Sequence, residues 1–286
     1  MIGGARILEE SDGLAEIYLE DKYTVVKLLQ SSGHLVGMTG DGVNDSLALK
    51  QAEVGVAVSN TTDVAQASAS IVLTQAGIRV ILDAITTSRR IYQRMLTWVI
   101  NKVTKVIQFI GVLVVGFFLL NRVVLSVLGM VLLVFANDFT TTSLPKDNVE
   151  STANPNVWNV KNITFASLVV GLLLVVEGVI VLYLGEFYYR LSLDRLQSFV
   201  LLALVFTSQF RVLSVRERRH FWSSRPGREL MFSILATLAG FFLLGVFGAI
   251  IPSLTVTQAV VALVISAAFT LGADFPKLYV FRKMRL

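Results

Sequence analysis

The densest chemistry in the chain lies in seven consecutive residues, Thr39-Gly40-Asp41-Gly42-Val43-Asn44-Asp45. Two carboxylates four residues apart, an amide between them and two glycines suit a Mg²⁺–phosphate site. Mg²⁺ takes hard oxygen ligands and keeps several of its waters. Glycine lets the backbone approach a phosphoryl group, and an asparagine amide can donate to its oxygens. The plainer reading is a turn in which Asp45 starts the next helix. A second set of polar residues stands in strongly apolar sequence. Asn101, Lys105 and Gln108 recur at i, i+4 and i+7, one helix face; Asn137 and Asp138 interrupt an apolar run, and Glu177 stands alone. Such groups at membrane depth are candidates for an ion path by default. The plainer readings are snorkelling of Lys102 and Lys105 to an interface, and a structural interhelical bond for Glu177. A buried Asp138 needs a partner or a proton.

Short strands and helices alternate around the first motif. Strands are expected at Ile17-Tyr18-Leu19, Leu35 to Met38, Val54 to Val58 and Ile71 to Leu73, and helices at Lys22 to Gln30, Ser46 to Ala52 and Thr62 to Ala69. That alternation implies βα units and a parallel sheet. Its ligands bind beyond the carboxyl ends of the strands, where the motif falls. After about Ile91 apolar runs dominate. About 20 apolar residues cross a bilayer, which predicts six spans: Trp98 to Leu120, Val123 to Thr142, Ile163 to Leu184, Leu196 to Leu213, Leu230 to Ile251 and Leu254 to Asp274. The proline-free stretch from about Gly77 to Leu120 predicts one helix of about 65 Å, a stalk running into the first span. Helical rise puts Lys105 and Asp138 at similar depth on consecutive antiparallel spans, about 10 Å and roughly 8 Å from the same side, and predicts an ion pair between them.

Composition agrees. The chain has 286 residues, 54% hydrophobic and 16% charged, with a mean hydropathy of +0.69, which marks a membrane protein of about two domains. The expected domains are residues 1–88, soluble, and 89–286, membrane. There is no cysteine, which excludes disulfides, zinc–cysteine sites and thiol catalysis, and the two histidines, His34 and His220, make no histidine metal cluster. No secretory signal is visible before Glu20. The +5 net charge suggests nucleic acid until its placement is read. Arg79, Arg89, Arg90 and Arg94 precede the first span. Arg216, Arg218, Arg219, Arg225 and Arg228 lie between the fourth and fifth, and Lys277, Arg282, Lys283 and Arg285 in the tail. This is a positive-inside pattern, with residues 1–90 and the C-terminus cytoplasmic, and needs no nucleic acid.

Thr39 to Asp45 resembles the hinge motif of the P-type ATPases, whose catalytic domain is haloacid-dehalogenase-like. The resemblance extends to Glu20-Asp21-Lys22-Tyr23, to Ala48 through Val58, to Asp63 and to Ser70 through Leu73. It implies a partial haloacid-dehalogenase-like α/β domain followed by an all-α bundle of six spans. It also implies Asp41 as the Mg²⁺ carboxylate, Asn44 on phosphate, Asp45 in support, Lys22 neutralising phosphoryl charge, and ATP as substrate of the intact pump. Phe135-Ala136-Asn137-Asp138-Phe139, Lys146-Asp147, Trp158, Ser208-Gln209 and Arg225-Pro226-Gly227 resemble plasma-membrane proton pumps, in which the aspartate matching Asp138 carries the proton. Plant-type members place an arginine where this chain has Gln108, and Lys105 lies one turn away. The family's phosphorylated aspartate lies in an Asp-Lys-Thr-Gly-Thr motif, and Asp21-Lys22-Tyr23-Thr24 lacks the glycine and second threonine. The expectation is therefore the C-terminal portion of an ATP-driven proton exporter of the plasma membrane, inactive without the N-terminal part of the pump. The alternatives are a pump for another cation, or a non-catalytic membrane subunit.

Overall fold

The computed structural model describes Leu8 and residues 10–284. Expectations for residues 1–7 and for Arg285 fall outside these. The chain divides into two compact units, Met1–Thr86 and Thr87–Leu286.

In the first unit, α1 (Leu19–Ser31) leads to β1 (Gly37–Gly40). Then follow α2 (Ser46–Gln51), β2 (Val54–Ala57), α3 (Asp63–Ser68) and β3 (Ile71–Val72). The strands form one parallel sheet in the order β1-β2-β3, Gly37 opposite Val54 and Val56 opposite Ile71. Val26 of α1 packs on Ala48 and Ala52, with Val36 and Met38 alongside. The strand expected at Ile17-Tyr18-Leu19 does not form. Leu19 is the first residue of α1, and the Asp21 carboxylate accepts the Tyr18 N–H at 3.0 Å. A local capping bond outcompetes an apolar triplet that pairs with no strand among the described residues. β1 also starts two residues after Leu35, because pairing with β2 sets its limits and Leu35 itself is exposed.

The second unit is helical. α4 (Ile78–Leu120) continues into it as a 43-residue helix, followed by α5 (Val127–Thr141), α6 (Val160–Tyr183), α7 (Leu193–Val215), α8 (Arg228–Phe247), α9 (Val256–Gly272) and α10 (Asp274–Met284). Among the described residues six helices are long and apolar enough to cross a membrane. The second starts at Val127 rather than Val123, because Ser126 caps it by accepting the Gly129 N–H at 3.0 Å. α8 stops at Gly248, φ +68°, short of Ile251, since glycine takes this left-handed backbone without a Cβ penalty.

α7 is the central helix. In its most apolar stretch 89% of residues are buried, against 22–50% in the other five. Phe199, Leu202, Val205 and Phe206 pack with Leu133, Val181 and Ala262 in the main core. α4 and α6 approach closely because Gly171 and Gly178 seat Ile107 and Val112; a Cβ at either glycine would strike those side chains. At one end of the bundle Asp147 and Arg216, each 1% exposed, pair at 2.8 Å. Asp147 also accepts the Gly227 N–H, and Arg216 donates to the carbonyls of Asn148 and Ser224. Lys277 of α10 is likewise buried, donating to Asp274 at 2.6 Å and to the carbonyls of Ser214, Glu217 and Arg219. Two cations counted in the positive-inside pattern are therefore internal fasteners.

Candidate functional site

Each unit carries a polar centre. In the first, β1 ends at Gly40 and a single turn of 3₁₀-helix, Val43–Asp45, leads into α2. Asp45 is buried and its carboxylate organises the turn. Oδ2 accepts the N–H groups of Asp41 and Gly42 at 3.1 and 3.3 Å, and Oδ1 accepts Lys22 Nζ from α1 at 2.7 Å. Burial works against the charge on Asp45. The Lys22 hydrogen bond and the two backbone donors outweigh it and hold the carboxyl below its ordinary value. Gly40 is required here because a Cβ would run into the Asp45 side chain. Asp41 and Asn44 face outward. The Asp41 carbonyl accepts the Thr61 hydroxyl at 2.7 Å, and its carboxylate has no protein partner among the described residues. Lys22, Asp41, Asn44 and Asp45 thus converge on one turn beyond the carboxyl end of a parallel strand. An exposed, unengaged carboxylate beside a fixed ammonium fits a hydrated Mg²⁺ and a phosphoryl group together. Asp41 would hold the cation.

In the second unit three of the expected polar residues, Asn101, Gln108 and Asn137, gather on a side chain that sequence reasoning passed over. Arg211 of α7 is 1% exposed. It donates to Asn101 Oδ1 at 2.9 Å, Gln108 Oε1 at 2.6 Å and Asn137 Oδ1 at 3.4 Å. Asn101 and Gln108 come from α4 and Asn137 from α5, so one guanidinium joins three helices through neutral amide oxygens. Glu177 of α6 is buried, and its carboxylate accepts the Thr207 hydroxyl of α7. The signal for Arg211 was present: a guanidinium inside a span, next to Thr207-Ser208-Gln209. It was masked because the expected span ended at Leu213, which put Arg211 near an interface. The helix runs on to Val215.

The pair expected between Lys105 and Asp138 does not form. Lys102 Nζ meets Asp138 Oδ1 at 2.6 Å and lies over the Trp98 ring, 5.7 Å from its centre. Helical rise fixes position along an axis and says nothing of azimuth. Asn101, Lys105 and Gln108 share the α4 face turned to α7, as Asn137 does on α5. One residue further on, about 100° round each helix, Lys102 and Asp138 turn to the other side and meet there. Lys105 borders the Arg211 cluster without an ion pair or hydrogen bond of its own among the described residues.

No family model matches the chain. Among curated proteins it resembles a putative cation-transporting ATPase of Methanocaldococcus jannaschii, 40% identical over 232 residues, covering 81% of this chain and 29% of that protein. A probable plasma membrane ATPase of Dictyostelium discoideum is 32% identical over 259 residues, covering 86% and 24%. A plasma membrane ATPase of Kluyveromyces lactis is 32% identical over 242 residues, covering 82% and 27%. The chain spans between about a quarter and three tenths of the length of these relatives.

Proposed function

The chain belongs to the P-type cation-transporting ATPases, and from that premise we propose that it is the C-terminal part of a proton exporter working through an aspartyl-phosphate. The turn from Thr39 to Asp45 supports a haloacid-dehalogenase-like phosphorylation site. Its phosphorylatable aspartate would come from the preceding part of the pump, together with the nucleotide-binding domain. In this reading Asp41 holds Mg²⁺, which offsets phosphoryl charge when bound. Lys22, fixed by Asp45, adds a second positive charge, and Asn44 donates to a phosphoryl oxygen. Residues 1–90 and the C-terminus are cytoplasmic, and α4–α9 cross the plasma membrane beside spans of the N-terminal part. Those spans would cover the face that carries Lys102 and Asp138, since an ion pair half open to lipid is costly.

The observation that carries the choice of ion is Arg211. A transported metal cation needs a cage of oxygens. Here the side-chain oxygens of Asn101, Gln108 and Asn137 are already taken by a fixed guanidinium. A proton needs no cage, only a carboxyl that can accept it, and Asp138 and Glu177 are the carboxyls on the path. Asp138 is paired with Lys102, and a conformational change that parts them would free its carboxylate to take up a proton. Asp41→Ala in the full-length pump is expected to abolish Mg²⁺-dependent ATP turnover while leaving the membrane helices folded. Normal ATPase rates in that variant would remove Asp41 from the site. ATP hydrolysis stimulated by a metal cation, with no proton movement, would favour the alternative of a pump for another cation. A full-length protein that hydrolyses no ATP would favour a non-catalytic membrane subunit.

A further inference from the structure

Gln108 separates two small cavities inside the bundle, each about 10 Å³ and so roughly one water in size. One is lined by Gln108, Glu177 and apolar side chains of α4, α6 and α7. The other is bordered by Lys105, Gln108, Asn137, Ser208 and Arg211. A guanidinium can only donate, so Arg211 claims the Gln108 amide oxygen and turns the amide NH₂ away from itself. Among the described residues that Nε2 has no hydrogen-bond partner, and neither has Glu177 Oε2. The two residues are 2% and 1% exposed and line the same cavity. Gln108 and Glu177, each with a buried unsatisfied atom of opposite hydrogen-bonding character, thus border one water-sized space, and each such atom would otherwise cost its full desolvation.

We propose that this cavity is a proton-binding site, formed by the Glu177 carboxyl and one water held by Gln108 Nε2. The proposal rests on the proton-pump reading and adds to Asp138 a second carboxyl, deeper in the bundle. Water serves both states of the carboxyl. When Glu177 is ionised, the water donates to Oε2. When a hydronium gives up its proton, it leaves water and a neutral carboxyl whose O–H donates to that water. Gln108 Nε2 donates to the water oxygen in either state, and the Thr207 hydroxyl donates to Oε1. From the packed helices, α4 presents Gln108, α9 presents the Ser266 hydroxyl, and α7 presents Thr207 and Arg211. Arg211 is the charged group facing Glu177 among the described residues. Arg211 and an ionised Glu177 together are neutral, and a bound proton leaves the set with one positive charge. Arg211 therefore favours release, and Gln108 positions the site by tying the guanidinium to the cavity.

The test uses the full-length pump in lipid vesicles, read by infrared difference spectroscopy across a pH titration. The wild-type protein is expected to show a protonated-carboxyl C=O stretch that Glu177→Gln removes. Thr207→Val removes a donor to the ionised form and is expected to raise the midpoint of that band by about one pH unit, tenfold in proton affinity. Should Glu177→Gln fail to fold, Thr207→Val and the conservative Glu177→Asp, which should keep a shifted band, still decide the matter. ATP-driven acidification by the same wild-type vesicles reports on the underlying reading. If they acidify while the band and its midpoint are unchanged in the variants, the Glu177 site fails alone. If they do not acidify, the pump reading fails with it.

Discussion

Among the residues, the buried carboxylate of Asp45 orders the first centre, although Asp41 is the exposed carboxylate of the turn. Asp45→Ala leaves the Asp41 and Gly42 N–H groups and Lys22 without their shared acceptor. The expected loss is about 1–3 kcal/mol of local stability, measured as roughly ten- to hundredfold faster amide exchange at Asp41 and Gly42. Since the folded Asp45 carboxyl is held below its ordinary value, its contribution is complete above the unfolded value of about 4. It fades as pH falls through the lower folded value. The turn is therefore expected to open on acidification below about pH 4 and to be unaffected between pH 5 and 8. In the membrane unit, Lys102 rather than Lys105 faces Asp138. Lys102→Ala is expected to shift half-maximal proton transport to higher pH by about one unit, while Lys105→Ala moves it much less. Equal shifts would mean that both lysines act on Asp138. Asn101, Gln108 and Asn137 were legible as polar residues on helix faces. Their common partner was not, because a spacing pattern shows which side chains share a face of one helix and says nothing of what a neighbouring helix brings to it.

At the scale of elements, hydropathy placed all six spans, while their ends were set by local chemistry that apolar runs do not record. Ser126 moved the start of α5, Gly248 the end of α8, and Asp21 turned an expected strand residue into the first turn of α1. Charge was legible in number and misleading in place. Arg216 fits a positive-inside count, yet it is spent on Asp147 in a pair closed to solvent. Asp147→Ala strands a buried guanidinium and should cost about 3–5 kcal/mol, seen as a marked fall in the unfolding temperature of the detergent-solubilised pump. Adding Arg216→Leu is expected to recover part of the loss, because the stranded charge goes with it. If the second substitution only deepens the loss, the carbonyl bonds of Arg216, rather than the ion pair, hold the loops.

For the whole molecule, a parallel sheet and a set of long apolar helices were both legible, because the hydrophobic pattern changes character near Ile91. The proton was expected from the resemblance around Asp138; how the three amide oxygens are occupied is a property of the packed bundle and was not legible. A guanidinium that occupies the amide oxygens of Asn101, Gln108 and Asn137 supports the proposed movement of protons. The most direct measurement is ATP-driven proton uptake into vesicles holding the full-length pump, with the wild type compared with Asp138→Asn and Arg211→Gln. The wild type is expected to acidify the vesicle lumen at a rate independent of Na⁺, K⁺ or Ca²⁺. Asp138→Asn should lose transport, and Arg211→Gln should weaken proton coupling and make ATP hydrolysis sensitive to a metal cation. A wild-type pump that hydrolyses ATP only with an added metal cation and leaves the lumen pH unchanged would contradict it.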